Sequence, residues 1–147
     1  MASKNITDCV KFLQEQWPKI QEKYAALNPL SHLAITTSYR NPTEQLELFK
    51  KGRELDAQGN WMVQDKSQVL TNVDGFKILG AHNYSPSRAI DVVVFDNQSG
   101  KALWEEIYYH SLVEIAEGCG LVSGGSWKSL KDYDHIEVKD YKNYIEV

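Results

Sequence analysis

The chain has 147 residues, of which 42% are hydrophobic and 24% charged, and its formal net charge is -4. This length fits one domain, residues 1–147, that buries a hydrophobic core without needing a metal or disulfides to fold. No region is strongly basic, so we expect no nucleic-acid partner. The start lacks the apolar core of a signal peptide and no later stretch is apolar enough to span a bilayer, so we expect no membrane insertion and a cytoplasmic protein.

The first predicted element is a helix that begins after Thr7, a plausible N-cap, and ends before Asn28-Pro29. Its apolar residues recur three and four positions apart, which is typical of a helix lying on a core. They are Val10, Leu13, Trp17, Ile20 and Tyr24. Proline lacks an amide hydrogen and crowds the preceding turn, so Pro18 predicts either a kink or the start of a second helix.

The next segment, His32 to Arg40, is rich in β-branched and aromatic residues and predicts a strand with Arg40 at its exposed end. Asn41-Pro42-Thr43-Glu44 then resembles a helix start, and Gly52 a helix stop. From Arg53 to Gly80 no periodicity is clear, which predicts a long loop with at most short helical or strand pieces. Long loops in small domains commonly form a wall or lid of a functional site.

The second half of the sequence contains the strands and the helix that we expect at the centre of the fold. Ala89 to Phe95 is an almost continuous β-branched run and predicts a strand buried on both faces. An apolar stripe from Trp104 to Cys119 predicts a helix that covers one face of the sheet. His135 to Val138 predicts a strand with His135 and Glu137 on one side. The expected fold class is therefore α+β, with a small, mainly antiparallel sheet flanked by helices.

The two cysteines, Cys9 and Cys119, lie far apart in the sequence, each beside apolar residues. Neither has a second cysteine close enough for a zinc knuckle. We expect both to be buried, reduced thiols. The alternative is a disulfide that joins them, and the missing export signal argues against it.

His82, Asp91 and His135 are candidate ligands of a divalent metal of the zinc type. Two imidazoles and one carboxylate leave a coordination position open, as catalytic zinc sites do. Asp91 is the most telling of the three, because a carboxylate within an apolar run is costly to bury without a cation. The spacing alone also fits histidines that make only hydrogen bonds, so both interpretations stay open at this point.

A carboxylate near such a metal is needed to take the proton of the attacking water. Asp132 precedes His135 by three residues, at the entrance to the predicted strand, and is the first candidate. Asp134 competes with it, although strand alternation predicts that Asp134 faces the opposite side. Glu137 is a candidate acceptor for an imidazole N–H, and Arg40 a candidate to bind a substrate carboxylate or steady an oxyanion.

These residues resemble the M15 zinc peptidases, and among them the phage endolysins that cleave the L-alanyl-D-glutamate bond of peptidoglycan stem peptides. Four blocks carry the resemblance: Phe12-Leu13 with Trp17-Pro18-Lys19-Ile20; Ser38-Tyr39-Arg40 with Gln45 and Gly52-Arg53; His82 with Ala89 and Asp91; Gly125-Ser126-Trp127 with Asp132, His135 and Glu137. The resemblance implies a fold like that of the hedgehog and DD-peptidase group. It implies three zinc ligands (His82, Asp91 and His135), a catalytic base (Asp132) and a substrate-binding region with Arg40 and Gln45.

Three positions depart from the family pattern. His82 and Asp91 enclose eight residues instead of the commoner six, through a Ser85-Pro86-Ser87 loop similar to that of phage members. Gly80 stands where the family usually has a serine. The contact that this serine makes, to the substrate or to a metal-ligating residue, is therefore missing. Ile136 replaces a phenylalanine, a change that affects packing.

The expected function is therefore lysis of a bacterial cell by a monomeric zinc peptidase that waits in the infected cell's cytoplasm and reaches the wall once the membrane is opened. Two alternatives remain. A D-alanyl-D-alanine carboxypeptidase or dipeptidase would use the same metal on another bond. A non-catalytic wall-binding or virion domain would use zinc only for stability, and would not need Asp132 as a base.

Overall fold

The computed structural model describes residues 2–146, and helices and strands alternate irregularly along this range. The helices are α1 (Lys11–Leu27), α2 (Pro42–Phe49) and α3 (His110–Gly118). The strands are β1 (Ser31–Thr37), β2 (Arg53–Leu55), β3 (Trp61–Val63), β4 (Ala89–Asp96), β5 (Ala102–Leu103), β6 (Leu121–Ser123) and β7 (His135–Val138). No helix within residues 2–146 is both long and apolar enough to cross a bilayer.

The main sheet has the strand order β1-β4-β7-β6, and every pair in it is antiparallel. The short β5 also pairs with β4, and β2 and β3 form a separate antiparallel hairpin. The predicted α+β class with a small antiparallel sheet is confirmed. β4 is the central strand, because β1 covers one of its edges and β7 and β5 share the other.

The two faces of this sheet carry different kinds of side chain. Ile90, Val92 and Val94 of β4 point to the side of α1 and α3 and belong to the hydrophobic core. Since side chains alternate along a strand, Asp91 points to the opposite face. In β7, Ile136 lies in the core, and its neighbours project to the face that carries Asp91. The helices therefore cover one face, as predicted, and the other is left for the candidate ligands.

Helix α1 differs from its prediction at its start, and it excludes one of the two alternatives predicted at Pro18. It begins at Lys11 with Val10 at the N-cap, and Thr7 lies instead in a 3-10 turn, so the Thr7 cap is wrong. It also runs through Pro18 as one helix, because its buried apolar stripe continues on the core after the proline. Packing of that stripe outweighs the loss of one backbone hydrogen bond.

Helix α3 is shorter than the apolar stripe that predicted it. The stripe begins at Trp104, but residues 106–109 form a 3-10 turn and the α-helix starts only at His110. Trp104 and Ile107 are exposed, by 58% and 72% respectively. The first part of the stripe therefore does not face the core.

Helix α2 and the following loop agree with expectation. The side chain of Asn41 caps α2 by accepting a hydrogen bond from the Glu44 amide at 2.9 Å. Between residues 53 and 80 the chain forms only the β2–β3 hairpin and a 3-10 turn. The loop stays irregular because its few apolar residues have no period on which a longer element could pack.

Both cysteines are free thiols, as expected. Cys9 is buried, and burial raises the pKa of its thiol to about 12. Cys119 is only half-buried, so it is the more accessible thiol of the two.

Replacing Tyr109 by phenylalanine tests how β4 is held to β5. The buried Tyr109 hydroxyl accepts from the Val94 amide at 3.1 Å and donates to the Leu103 carbonyl at 2.8 Å. Tyr109→Phe leaves both backbone groups without this partner, and we expect it to lower the free energy of unfolding by about 1–3 kcal/mol. Urea denaturation measures this loss. The control is Tyr108→Phe, whose hydroxyl makes no hydrogen bond within residues 2–146; an equal loss in both variants would contradict the assignment.

Candidate metal centre and its cavity

Two of the three candidate ligands are brought together by strand pairing. Asp91 of β4 lies directly opposite His135 of β7 in the antiparallel register. Residues in such a pair project to the same face with their side chains in contact. The third, His82, comes from the 3-10 turn Ala81–Asn83 that precedes β4. The structure therefore brings all three predicted ligands to the sheet face away from the helices.

His82 is fixed by the end of β1. Its Nδ1 atom lies 2.7 Å from the Ser38 carbonyl oxygen, to which it donates. Its own carbonyl oxygen accepts from the Arg40 amide at 2.9 Å. These two contacts leave Nε2 of His82 free to point toward Asp91.

The three candidate metal-ligating atoms form a nearly equilateral triangle. Nε2 of His82 lies 3.2 Å from both Nδ1 of His135 and Oδ1 of Asp91. Nδ1 of His135 lies 3.1 Å from the same Oδ1 atom. Ligand atoms bound about 2.0–2.1 Å from zinc in a tetrahedron are about 3.3 Å apart. The triangle therefore has the size of one face of a tetrahedral zinc site.

Hydrogen bonds on the outer side explain why this triangle needs a cation. His135 Nε2 lies 2.8 Å from Oε1 of Glu137 and donates to it, as His82 Nδ1 donates to Ser38. In these tautomers the three inner atoms are all acceptors, and they would repel one another without a positive charge between them. A metal ion with imidazole and carboxylate ligands meets this requirement.

The electrostatics of the cluster agree with this interpretation. Burial alone would raise the pKa of the Asp91 carboxyl, but the charge of His82 and hydrogen bonds from both imidazoles hold that pKa well below its usual range. Burial would lower the pKa of His135, but its hydrogen bonds to Asp91 and Glu137 raise it to about 10. Protons on the inner nitrogens therefore supply positive charge to the triangle, and a bound metal ion would replace them.

Asp132 lies beside this triangle. Its carboxylate and those of Asp91 and Asp134 all lie within 4.8 Å of one another. Its amide donates to the Gly124 carbonyl at 3.0 Å, and a Cβ atom on Gly124 would lie only 2.4 Å from the Asp132 carbonyl oxygen. This close backbone approach requires glycine, and it sets where Asp132 stands.

Strand alternation predicted that Asp134 faces away from the site, and this prediction is wrong. It precedes the first residue of β7, so the alternation of that strand does not apply to it. Burial and the neighbouring Asp132 carboxylate raise the pKa of Asp134 to about 9. Asp132 lines the large cavity over the triangle and Asp134 does not, which favours Asp132 as the base.

A cavity of about 690 Å³ opens over the triangle. Residues 69–73 form one wall and residues 127–132 another. The Trp127 ring lies 5.0 Å from the His135 ring, so Trp127 both packs against a ligand and lines the cavity. The poorly periodic loop of residues 53–80 thus supplies a wall of the site, as its length suggested.

This wall is anchored by a second arginine. The Arg53 guanidinium donates to the Phe49 carbonyl at 2.8 Å and to the Thr71 carbonyl at 2.9 Å. It also stacks over the Phe49 ring, 3.9 Å from the centroid. Arg53 therefore ties the end of α2 to the segment that lines the cavity.

Arg40 and Gln45 stand on the same side of the cavity. Nη2 of Arg40 lies 3.6 Å from Oδ2 of Asp91, and Nη1 donates to Oε1 of Gln45 at 3.1 Å. Gln45 is buried, and its Nε2 donates to the Val73 carbonyl at 3.1 Å. Gln45 thus positions Arg40 and the wall. All seven predicted site residues line the cavity, while their roles remain predictions: Arg40, Gln45, His82, Asp91, Asp132, His135 and Glu137.

Sequence reasoning missed two supports of the site. The Ser38 carbonyl that orients His82 carries no sequence signal, because every residue has a carbonyl. Asn83 is buried and donates to the Arg40 carbonyl at 2.9 Å, while its Oδ1 accepts from Gly80 at 2.8 Å. Its position directly after a candidate ligand was the one available hint.

Two imidazoles and one carboxylate that face a cavity, with a further carboxylate alongside, define a candidate metal centre of the kind found in metal-dependent hydrolases. Comparison with known proteins agrees with this class. Residues 77–138 match the M15 peptidase profile described as D-alanyl-D-alanine carboxypeptidase. That range includes all three candidate ligands, Asp132 and Glu137.

A relative gives a longer match. The peptidoglycan L-alanyl-D-glutamate endopeptidase CwlK of Bacillus subtilis (strain 168) is 35% identical over 129 residues, covering 79% of this chain and 66% of CwlK. The chain thus spans about two thirds of the length of that relative. The crystal structure of the Serratia marcescens L-Ala D-Glu endopeptidase ChiX aligns with 86% of this chain and 85% of that chain, at a TM-score of 0.46 and 20% identity. The chain belongs to the M15 peptidases, a family of metal-dependent hydrolases.

Replacing Glu137 tests whether its hydrogen bond to His135 supports metal binding. Glu137→Gln removes the negative charge and keeps the shape, and we expect it to weaken Zn²⁺ binding by about tenfold, since outer hydrogen bonds to ligating histidines commonly have effects of this size. Competition with a chromophoric chelator measures the affinity. Glu54→Gln, on the exposed β2 strand, is the control and should bind Zn²⁺ like the unmodified protein. Equal affinities in the two variants would contradict the role of Glu137.

Proposed function

We propose that this protein is a zinc-dependent peptidoglycan endopeptidase that hydrolyses the L-alanyl-D-glutamate bond of the stem peptide. The observation that carries the proposal is the triangle of His82, Asp91 and His135 with Asp132 beside it, in a cavity wide enough for a peptide. The name of the 35% identical relative supports this bond as the target.

Zinc would be held by Nε2 of His82, Oδ1 of Asp91 and Nδ1 of His135. When bound, it supplies Lewis acidity that polarises a peptide carbonyl and lowers the pKa of water to near neutral. Glu137 and the Ser38 carbonyl keep the two imidazoles in the tautomers that binding requires. The protein therefore contributes three oriented ligands and leaves a side open to the cavity.

Asp132 would move the proton. Its carboxylate takes the proton of the attacking water and returns it to the nitrogen of the leaving amine. Arg40, which lies 3.6 Å from Asp91 and is oriented by Gln45, donates to the substrate carbonyl oxygen as negative charge develops there.

A second candidate activity is D-alanyl-D-alanine carboxypeptidase or dipeptidase. The description of the matching family profile favours it. It would use the same metal and the same base, and it differs in the residue that must fit on the amine side of the bond. The cavity walls, and not the metal centre, would decide between the two substrates.

Digestion of purified peptidoglycan tests the proposal. The zinc-loaded protein is incubated with sacculi, and mass spectrometry identifies the new ends. New amino-terminal D-glutamate is expected. Released D-alanine would replace the proposal by the carboxypeptidase, and binding to sacculi without any product would favour a non-catalytic wall-binding domain.

We also propose that the protein acts as a monomeric phage endolysin, which accumulates in the cytoplasm of an infected cell and lyses it after the membrane is opened. The Ser85-Pro86-Ser87 loop between two candidate ligands, similar to that of phage members, supports this role. Bacteria that express the protein should stay intact until a membrane-permeabilising agent is added, and then lose turbidity rapidly. Lysis without that agent would contradict the proposed location.

Asp132→Asn separates proton transfer from metal binding. Asparagine has nearly the same shape but cannot accept the proton, so we expect Zn²⁺ content and thermal stability to be retained while kcat falls by about 100-fold or more. Metal analysis and the digestion assay check both parts. Asp140→Asn, in an exposed turn outside the cavity, is the matched control and should stay active. Nearly full activity of Asp132→Asn would move the base to Asp134 or Glu137.

A further inference from the structure

A second, smaller cavity of about 280 Å³ lies next to the metal centre. Along one edge of β4, β7 covers residues 89–91 and β5 covers residues 94–95, and the cavity lies beside the gap between them. The residues that line it are Trp104, Glu106, Tyr109, Lys131, Asp132, Tyr133 and Asp134. Nothing in the mechanism above uses Trp104 or Lys131.

We propose that this cavity is a subsite for the part of the peptide that leaves with the amine. The inference rests on the proposed endopeptidase function and specifies how the substrate lies in the site. Its basis is the two side chains that the cavities share, a fixed aromatic surface, and the ammonium group of Lys131 at the border of the two cavities.

The two cavities meet at Asp132. Asp132 and Lys131 line both of them, so the two cavities adjoin at these side chains. A group that protonates the leaving nitrogen has to contact that nitrogen. The residues that follow the nitrogen therefore start at Asp132, and the small cavity is the space directly beyond it.

Trp104 offers this segment a rigid surface. Its indole is 58% exposed, yet it stacks on the Tyr109 ring with centroids 6.4 Å apart and planes 8° apart. Tyr109 is itself buried and fixed by hydrogen bonds to β4 and β5. An exposed indole held in this way binds the methylene groups of a peptide side chain at little entropic cost.

Lys131 supplies a positive charge that can bind a carboxylate of the substrate. Its ammonium lies 5.9 Å from the centroid of the Tyr133 ring, and its charge helps to lower the pKa of Glu106 in the same cavity. No carboxylate oxygen lies within ion-pair distance of this ammonium in the part of the chain that the structure describes, so it can still bind a carboxylate of the substrate. Glutamate has two carboxyl groups, and a stem peptide continues through one of them, so the other is free near the scissile nitrogen. Lys131, directly beside Asp132, is placed to bind that carboxylate.

Two substrates of different length test the subsite. One ends at the D-glutamate, and the other continues with the diamino acid and D-alanine of the stem peptide. We expect Trp104→Ala to lower kcat/KM about fivefold for the long substrate and to leave the short one within about twofold, since a single aromatic contact of this kind is worth about 1 kcal/mol. Lys131→Gln should lower kcat/KM for both, because both carry the glutamate carboxylate.

Ile107→Ala is the matched control, since Ile107 is 72% exposed in the same segment and lines neither cavity. Thermal unfolding and zinc content establish that Trp104→Ala is folded and loaded. Equal losses on both substrates, or no loss on either, would overturn the subsite while the unmodified protein still cleaves. Failure of the unmodified protein to cleave either substrate would instead overturn the proposed function.

A binding measurement addresses the subsite independently of cleavage. The indole N–H resonance of Trp104, assigned by its loss in Trp104→Phe, is followed while the tripeptide D-glutamate–diamino acid–D-alanine is added. A saturable shift of this resonance is expected. A titration that moves the Trp127 resonance and leaves that of Trp104 unchanged would place the leaving segment elsewhere and overturn the proposal.

Discussion

The antiparallel pairing of β4 with β7 is the constraint on which the site depends. It sets Asp91 opposite His135, and the alternation of both strands sends these side chains to the face away from α1 and α3. The same register puts Ile90 and Ile136 in the core. A shift by one residue would move the ligands into the core and the apolar side chains to the cavity. Burial of the core therefore enforces the geometry of the metal centre.

Around this pair, the site is completed by groups that act at a distance from the metal. The Ser38 carbonyl and Glu137 fix the two imidazoles from outside, and Gly124 permits the backbone approach that places Asp132. Gln45 orients Arg40 and the cavity wall together. Because three acceptor atoms converge within about 3.2 Å, the arrangement is stable only around a cation. The outer contacts therefore hold the ligand side chains in position before any metal binds.

Much of the fold followed from local patterns. The β-branched run of β4, the Asn41 cap of α2 and the alternation of β7 each act within a few residues, so the sequence predicted them correctly. Predictions that depended on distant packing were less accurate. No second helix opens at Pro18, one of the two alternatives predicted, because the core holds both halves of α1. The stripe from Trp104 does not begin a helix because its first residues face solvent. The turn before β7 brings Asp134 to Asp132, which strand alternation did not predict.

The sequence by itself determined which chemistry is available: two histidines and an aspartate for a metal, a carboxylate three residues before the last histidine, and an arginine at a strand end. Those identities are local, and the resemblance to M15 peptidases rests on them. Tertiary structure decided which nitrogen of each imidazole faces inward, which of Asp132 and Asp134 lines the large cavity, and that a second cavity adjoins Asp132. These properties depend on distances between residues up to 53 positions apart in the chain, such as His82 and His135. Folding sets those distances, and no local sequence pattern encodes them.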